Sequence, residues 1–375
     1  MMNINIIVTA NFGLESVVKH ELYDLGYDNL VVQDGRIKFN GDLRDVAILN
    51  LRLRCAERVL IEVASFEAYS FEELFNSVNA IDWARWISKE GNFIINAKSY
   101  KSKLFSLSDI QRISEKAIIK SLQRTYAINR FEKTAERYSI EVAIRNDIVS
   151  VTIDTSGEGL HKRGYREASY KAPITETLAA AMVKLSYWNP DRLLVDPFCG
   201  SGTILIEAAM IAKQIAPGLM RKFDFEKFIF MDENLLKEEK ARCYSEIDYD
   251  KKLEIIGSDI SRKAIEIAKM NAEILGLEED IRFFVKDVRE LDLPDNYGVI
   301  ITNPPYGIRI GEVEEVKELE QALRELYKSL PTYSMYVISA DENIEKNLGK
   351  SDKNRKLYNG GLRSYLFQYF GPKPL

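Results

Sequence analysis

Histidine and cysteine are scarce: two histidines, His20 and His161, and three cysteines, Cys55, Cys199 and Cys243, occur in 375 residues. There is no CxxC pair and the histidines stand far apart, so the sequence encodes neither a zinc cluster nor a disulfide framework, and no metal is expected. Ser201 and Cys199 have no histidine near them in sequence to activate a nucleophile, which makes them turn and packing residues. No apolar run approaches the roughly 18 residues that cross a bilayer, so no membrane partner is expected either. Residues 1–10 have a strand pattern without the basic start and cleavage site of a secretory leader, and the expectation is a cytoplasmic enzyme. Internal repeats and low-complexity tracts are also missing.

Positive charge is in deficit overall, 52 Lys+Arg against 57 Asp+Glu, a net charge of -5. Evenly spread, that would argue against a nucleic-acid partner. Residues 1–97 hold 9 Lys+Arg against 14 Asp+Glu and residues 172–375 hold 28 against 34, but residues 98–171 hold 15 against 9. A basic segment inside an acidic chain is the footprint expected where a phosphate backbone docks. Lys101, Lys103, Lys162, Arg163 and Arg166 are its candidate RNA contacts.

The chain is long enough for two to three domains. A β-type run from Ile4 to Thr9 is followed by a helical face of Leu14, Val17, Val18, Leu22 and Leu25 that Gly26 stops. Short strands near 30–32 and 36–39 and a helix over 43–51 complete a small α+β unit, residues 1–64. In residues 65–158, helices at 71–78 and 108–125 alternate with strands at 93–97, 139–144 and 148–154, a second α+β unit. The turn-rich Thr155-Ser156-Gly157-Glu158-Gly159 marks a boundary. Beyond it, in residues 159–375, β-branched runs at 193–195, 254–258, 281–285, 299–302 and 335–339 alternate with helices. Such runs imply a parallel sheet covered on both faces, a doubly wound α/β domain.

Chemistry gathers in this last part. Leu193-Leu194-Val195-Asp196 reads as a buried strand ending in an acid, followed by the turn Pro197-Phe198-Cys199-Gly200-Ser201-Gly202-Thr203 and a helix. Gly200 and Gly202 permit positive φ, and a helix N-terminus can offer its amides to a carboxylate. Asp196 would repel a pyrophosphate but suits the ammonium of a methionine moiety, which distinguishes the turn from a dinucleotide or Walker loop. Asp259 and Asp287 follow two later strands and would face the same crevice, one chelating ribose hydroxyls and the other accepting an adenine amino group. Each also reads alone as a helix cap. Asn303-Pro304-Pro305-Tyr306-Gly307 directly follows the strand at 299–302. Its prolines have no N–H, so the Asn303 oxygen and the Pro304 carbonyl could accept both hydrogens of a base amino group while Tyr306 stacks on an unpaired or flipped base.

These residues resemble the RlmL-type family of THUMP-domain methyltransferases. The likeness extends to Leu160-His161-Lys162-Arg163-Gly164-Tyr165-Arg166, Ala172-Pro173-Ile174-Thr175-Glu176-Thr177, Ile215-Ala216-Pro217-Gly218 and Asn359-Gly360-Gly361-Leu362. For residues 1–155 it is one of architecture, with Phe12-Gly13-Leu14-Glu15 as an opening match. The resemblance implies a Rossmann-like class I methyltransferase domain preceded by ferredoxin-like and THUMP units. It also implies S-adenosylmethionine as cofactor and transfer to guanine N2 of 23S rRNA; a tRNA guanine, or RNA binding without catalysis, is the alternative. By the same resemblance the cofactor site adds Pro173, Glu176, Phe198, Thr203, Ile260, Val288 and Asn303 to the strand-end acids and glycines. The long interval between Asp196 and Asp259 departs from a simple dinucleotide fold, so residues from about 217 to 250 form an insertion.

Overall fold

The computed structural model describes residues 3–128, 131–166, 174–305 and 313–373. The chain first forms β1 (Ile4–Ala10), α1 (Glu15–Asp24), β2 (Val31–Gln33), β3 (Arg36–Gly41), α2 (Leu43–Arg52) and β4 (Ala56–Glu67). Next come α3 (Phe71–Ala80), β5 (Asn92–Tyr100), α4 (Leu107–Tyr126), β6 (Arg137–Arg145) and β7 (Ile148–Asp154). Side-chain caps start these helices where the sequence carries them: Asp42 accepts from Arg44 and Asp45 amides, and Ser70 from the Glu73 amide.

The two α+β units share one sheet, in the order β2-β3-β1-β4-β7-β6-β5. β4, with 12 residues, joins them: Ala56 to Glu62 pair antiparallel with β1 and Leu60 to Glu67 with β7 on the other side, with a register shift in the β7 pairing between Glu62 and Ala64. A unit edge at 64/65 therefore falls inside a continuous strand. The sequence reading had no strand there, because Glu57, Arg58, Glu62 and Glu67 interrupt the apolar alternation.

The last part forms α5 (Glu176–Leu185), β8 (Leu194–Asp196), α6 (Thr203–Ala212), α7 (Glu233–Ser245), β9 (Ile255–Asp259), α8 (Arg262–Glu273), β10 (Ile281–Val285) and β11 (Val299–Thr302). It ends with α9 (Val313–Lys328), β12 (Ser334–Ser339), α10 (Glu345–Leu348), β13 (Lys353–Asn359) and β14 (Leu362–Tyr369). The sheet order is β10-β9-β8-β11-β12-β14-β13. The first five strands are parallel; β8, β11 and β12 are buried throughout, as expected of strands covered on both faces, while β10 at the sheet edge alternates buried and exposed residues. β14 is antiparallel and lies between β12 and β13. The sequence reading missed this hairpin, since β13 is a polar edge strand whose pattern gives no buried face.

The insertion clasps the two halves together. Its Phe228 stacks on Tyr138 of β6 at 4.5 Å and its Phe230 meets Trp86 edge-on at 5.0 Å. From α7, Glu239 and Glu246 hold Arg52 of α2, and the Gly218 amide donates to Leu51 O. Among the described residues, no helix is long and apolar enough to cross a membrane.

Candidate active site

Three predicted acids meet at one edge of the second sheet. Asp196 pairs with Gly257 and Asp259 with Val285, so Asp196 and Asp259 end neighbouring parallel strands, and Asp287 lies two residues past the end of β10. Ligands of such sheets sit beyond the carboxyl ends of the strands.

Asp196 is 1% exposed. Its Oδ1 accepts from the Thr302 hydroxyl at 2.6 Å and the Phe198 amide at 3.1 Å. Burial pushes its carboxyl up to about 7; the two donors oppose that rise and nearby Asp259 adds to it. A cation placed against this group would return it to the charged form. Asp259 accepts from the Gly200 amide at 3.1 Å and the Ser261 amide at 2.8 Å, so it ties the glycine turn to the head of α8. The neighbouring Ile260 is bare, an apolar surface beside the acid. Asp287 accepts from the amide and Nε of Arg289 and opens the short turn that buries Val288. Asp287 thus serves as a cap, whereas Ser261 caps α8 and Asp259 braces that residue; both acids stand at the crevice.

The glycine turn uses most of its own amides internally. The amides of Phe198, Cys199, Gly200 and Gly202 donate to Asp196, Ser258 O, Asp259 and Cys199 O, so these four do not face a ligand carboxylate. A turn this tight satisfies its own amides against the end of β9. Its opening is at Gly200, with φ +52°, where an added Cβ would meet nothing within 4 Å. At Gly202, with φ +80°, a Cβ would press on Phe283 and Ala268, so that glycine serves packing. Asn271 of α8 fixes the turn by donating to Ser201 O at 3.1 Å.

Thr203, the first residue of α6, accepts from Arg166 Nη2 at 2.7 Å, and Arg166 Nε lies 3.3 Å from Glu176 Oε1. Burial raises the Glu176 carboxyl above its usual range against the pull of Arg166. Arg166 therefore holds the wall of the site together, and its guanidinium is already committed to Thr203, Ile174 O and Glu176. Across the sheet, Thr302 links Asp196 to the loop where Asn303 stands. The Asn303 Oδ1 is buried with no hydrogen-bond partner among the described residues; Pro304 is buried and Pro305 exposed. Tyr306 and Pro173 lie outside the described residues. Thr302 and Asn271 were not foreseen. A hydroxyl ending an otherwise apolar strand was a usable signal for Thr302, whereas Asn271 acts on a turn 70 positions away.

The basic segment does not form one surface. Lys101 and Lys103 are exposed beside Tyr100 and Tyr69, at the end of β5 that pairs with Arg145. Lys162 is exposed near the opposite end of β6, whose nine residues span roughly 26 Å. Arg163 is a correction: it is 2% exposed, and its guanidinium donates to Glu207, Leu160 O and Arg54 O inside the protein. It cannot contact RNA in this conformation.

Comparison with known proteins gives matches along nearly the whole chain. The family model described as RMKL-like, methyltransferase domain, matches residues 163–366; the RlmL ferredoxin-like domain matches 5–60 and the THUMP domain 68–154. YpsC of Bacillus subtilis (strain 168), named as a candidate RNA methyltransferase, is 42% identical over 99% of this chain and 97% of its own. A Listeria monocytogenes structure, described as a sequence-predicted N6-adenine-specific DNA methylase, has a TM-score of 0.94 at 43% identity, covering 99% of this chain and 97% of that one. SMU.472, a candidate methyltransferase solved with SAH, has a TM-score of 0.93 at 40% identity over 100% of both chains.

Proposed function

This chain belongs to the RMKL-like methyltransferase family, and on that premise we propose that it methylates the exocyclic amino group of a base in RNA, guanine N2 of 23S rRNA, with S-adenosylmethionine as methyl donor. The observation that carries this reading is the unpartnered Asn303 Oδ1. A desolvated acceptor left unbonded costs about 1–3 kcal/mol, and such a cost is understandable where a substrate N–H completes the bond. The THUMP unit and the name of the relative YpsC support RNA as the substrate.

The residues fit the cofactor: Asp196 for its ammonium, Asp259 for the ribose, Asp287 and Ile260 for the adenine, and the open space at Gly200 for its close approach. When bound, the cofactor supplies an electrophilic methyl group. Asn303 and the Pro304 carbonyl accept from the base amino group and hold its lone pair toward that methyl, so catalysis rests on positioning. The prolines keep competing donors out of the loop, and the displaced amino proton leaves to solvent. Lys101, Lys103 and Lys162 are the exposed cations of the basic segment that remain available to RNA.

Because a buried ammonium partner must be charged, cofactor affinity should depend on the Asp196 carboxyl. Its folded value of about 7 predicts roughly fivefold weaker binding at pH 6 than at pH 7.5, since the cofactor ammonium, with an α-amino pKa of about 7.7–8.0, is fully charged at the lower pH and still mostly charged at the higher. Calorimetry with Asp196→Asn should show a weaker and pH-flat affinity; a wild-type affinity that ignores pH places the ammonium elsewhere. The reaction itself is tested by mass spectrometry of nucleosides from a strain lacking the gene. Loss of N2-methylguanosine from 23S rRNA is expected, and loss from tRNA alone would move the substrate to the alternative.

A further inference from the structure

A cavity of about 780 Å³ separates the THUMP end of the first sheet from the methyltransferase domain. Its walls are Arg137 at the start of β6, the connecting segment 158–166, the head of α5 and residues 220–227 of the insertion. Five of its cations, Arg137, Lys162, Arg221, Lys222 and Lys227, form no ion pair among the described residues. Opposite them stand Glu158, Asp224 and Glu176, and Glu176 is already held by Arg166. Arg137 and Lys162 come from the basic segment, but Arg221, Lys222 and Lys227 come from residues 172–375, which carry 28 Lys+Arg against 34 Asp+Glu, so their clustering is not inherited from composition.

Arg221 is the most telling of the five. It is 8% exposed, and its guanidinium donates to the backbone carbonyls of Ser156, Glu158 and Gly159, with no carboxylate in contact. Its Nε is buried without a partner among the described residues, as is the Thr175 hydroxyl in the same wall. Burial, with help from nearby Arg163, pulls its pKa down to about 10. Glu158 and Asp154 oppose that fall from nearby, but among the described residues neither forms an ion pair with the guanidinium, and an anion entering the cavity would supply that direct partner. The cavity also adjoins the transfer site: Arg166 in its wall donates to Thr203, the residue that starts α6 directly after the glycine turn.

We propose that this cavity receives the phosphodiester and ribose of a nucleotide flanking the methylated base, so that the RNA strand reaches the transfer site along the insertion. The inference rests on the RNA reading above. The volume lies within the roughly 300–1,000 Å³ of ligand sites. The cations are spread around the walls rather than aimed at one point, which suits a phosphate chain better than a single small anion.

The test is the double variant Lys222→Glu/Lys227→Glu, whose exposed side chains leave the core untouched, with Arg221→Gln as a second variant. Binding to an unmodified large-subunit rRNA fragment is measured across salt concentrations, with cofactor affinity as the check on folding. RNA affinity of the double variant should fall at least about tenfold, with a salt slope shallower by about two, while cofactor affinity holds. Lys237→Glu, on α7 outside the cavity, should change neither. Equal effects from Lys237→Glu, or unchanged RNA binding in the double variant, would overturn the proposal. So would inorganic phosphate binding that the variants abolish without any change toward RNA, since the cavity would then serve a free anion. Wild-type protein that neither binds nor methylates RNA would remove the underlying reading as well; wild-type methylation with unaltered variants would remove this inference alone.

Discussion

Replacing Asn303 by Ala should lower single-turnover methyl transfer by at least about a hundredfold, the scale of losing one preorganised polar partner at a reacting group. Its Oδ1 is a buried acceptor without a partner among the described residues, and in the proposed reaction its bond to the amino group would strengthen as that nitrogen pyramidalises. The interaction therefore acts on the transition state more than on the ground state. Cofactor and RNA affinities should change little. Stability gives an independent check, because removing a buried unsatisfied acceptor relieves a cost on the order of 1 kcal/mol. The variant should melt no lower than the wild type. A near-normal rate would sink the amino-transfer assignment, and a collapse in melting temperature would make Asn303 a structural residue.

The second large effect is on stability. Arg163→Ala should cost about 3–5 kcal/mol, because it removes one partner of a buried charge pair and leaves the other in place. Glu207 is 0% exposed and, among the described residues, would retain the Tyr165 hydroxyl at 3.2 Å as its hydrogen-bond donor and only the more distant charge of Arg54. The loss would be felt across the molecule, since Arg163 also donates to Arg54 O at the end of α2 and Arg54 donates in turn to Ile215 O. Calorimetric unfolding should show a fall in midpoint of roughly 5–15 °C. Lys162→Ala, one residue away and exposed, should stay within about 0.5 kcal/mol. Arg163→Met combined with Glu207→Met should recover much of the loss, because removing both charges leaves neither unpaired. An Arg163→Ala protein of normal stability but weak RNA binding would mean that the side chain swings outward, as the charge count had suggested.

Local pattern was enough to determine the strand, the glycine turn and the helix from Leu194 to Ala212, the two later acids, the loop at Asn303 and the doubly wound class. Periodicity, positive-φ glycines and prolines act within a few residues of themselves, so one dimension carries them. Three matters were decided only by tertiary structure. The first sheet is continuous because β4 pairs on one side with β1 and on the other with β7, a partnership between segments 90 residues apart that no local pattern encodes. The Gly200 amide faces inward because Asp259, 59 positions away, accepts from it. Charge, finally, is a count in sequence but a location in structure. Arg163 was drawn into the interior to neutralise Glu207, Lys101 and Lys162 went to opposite ends of β6, and the insertion brought its own Arg221, Lys222 and Lys227 beside Arg137, so burial and counter-charge determine which cations can meet a phosphate.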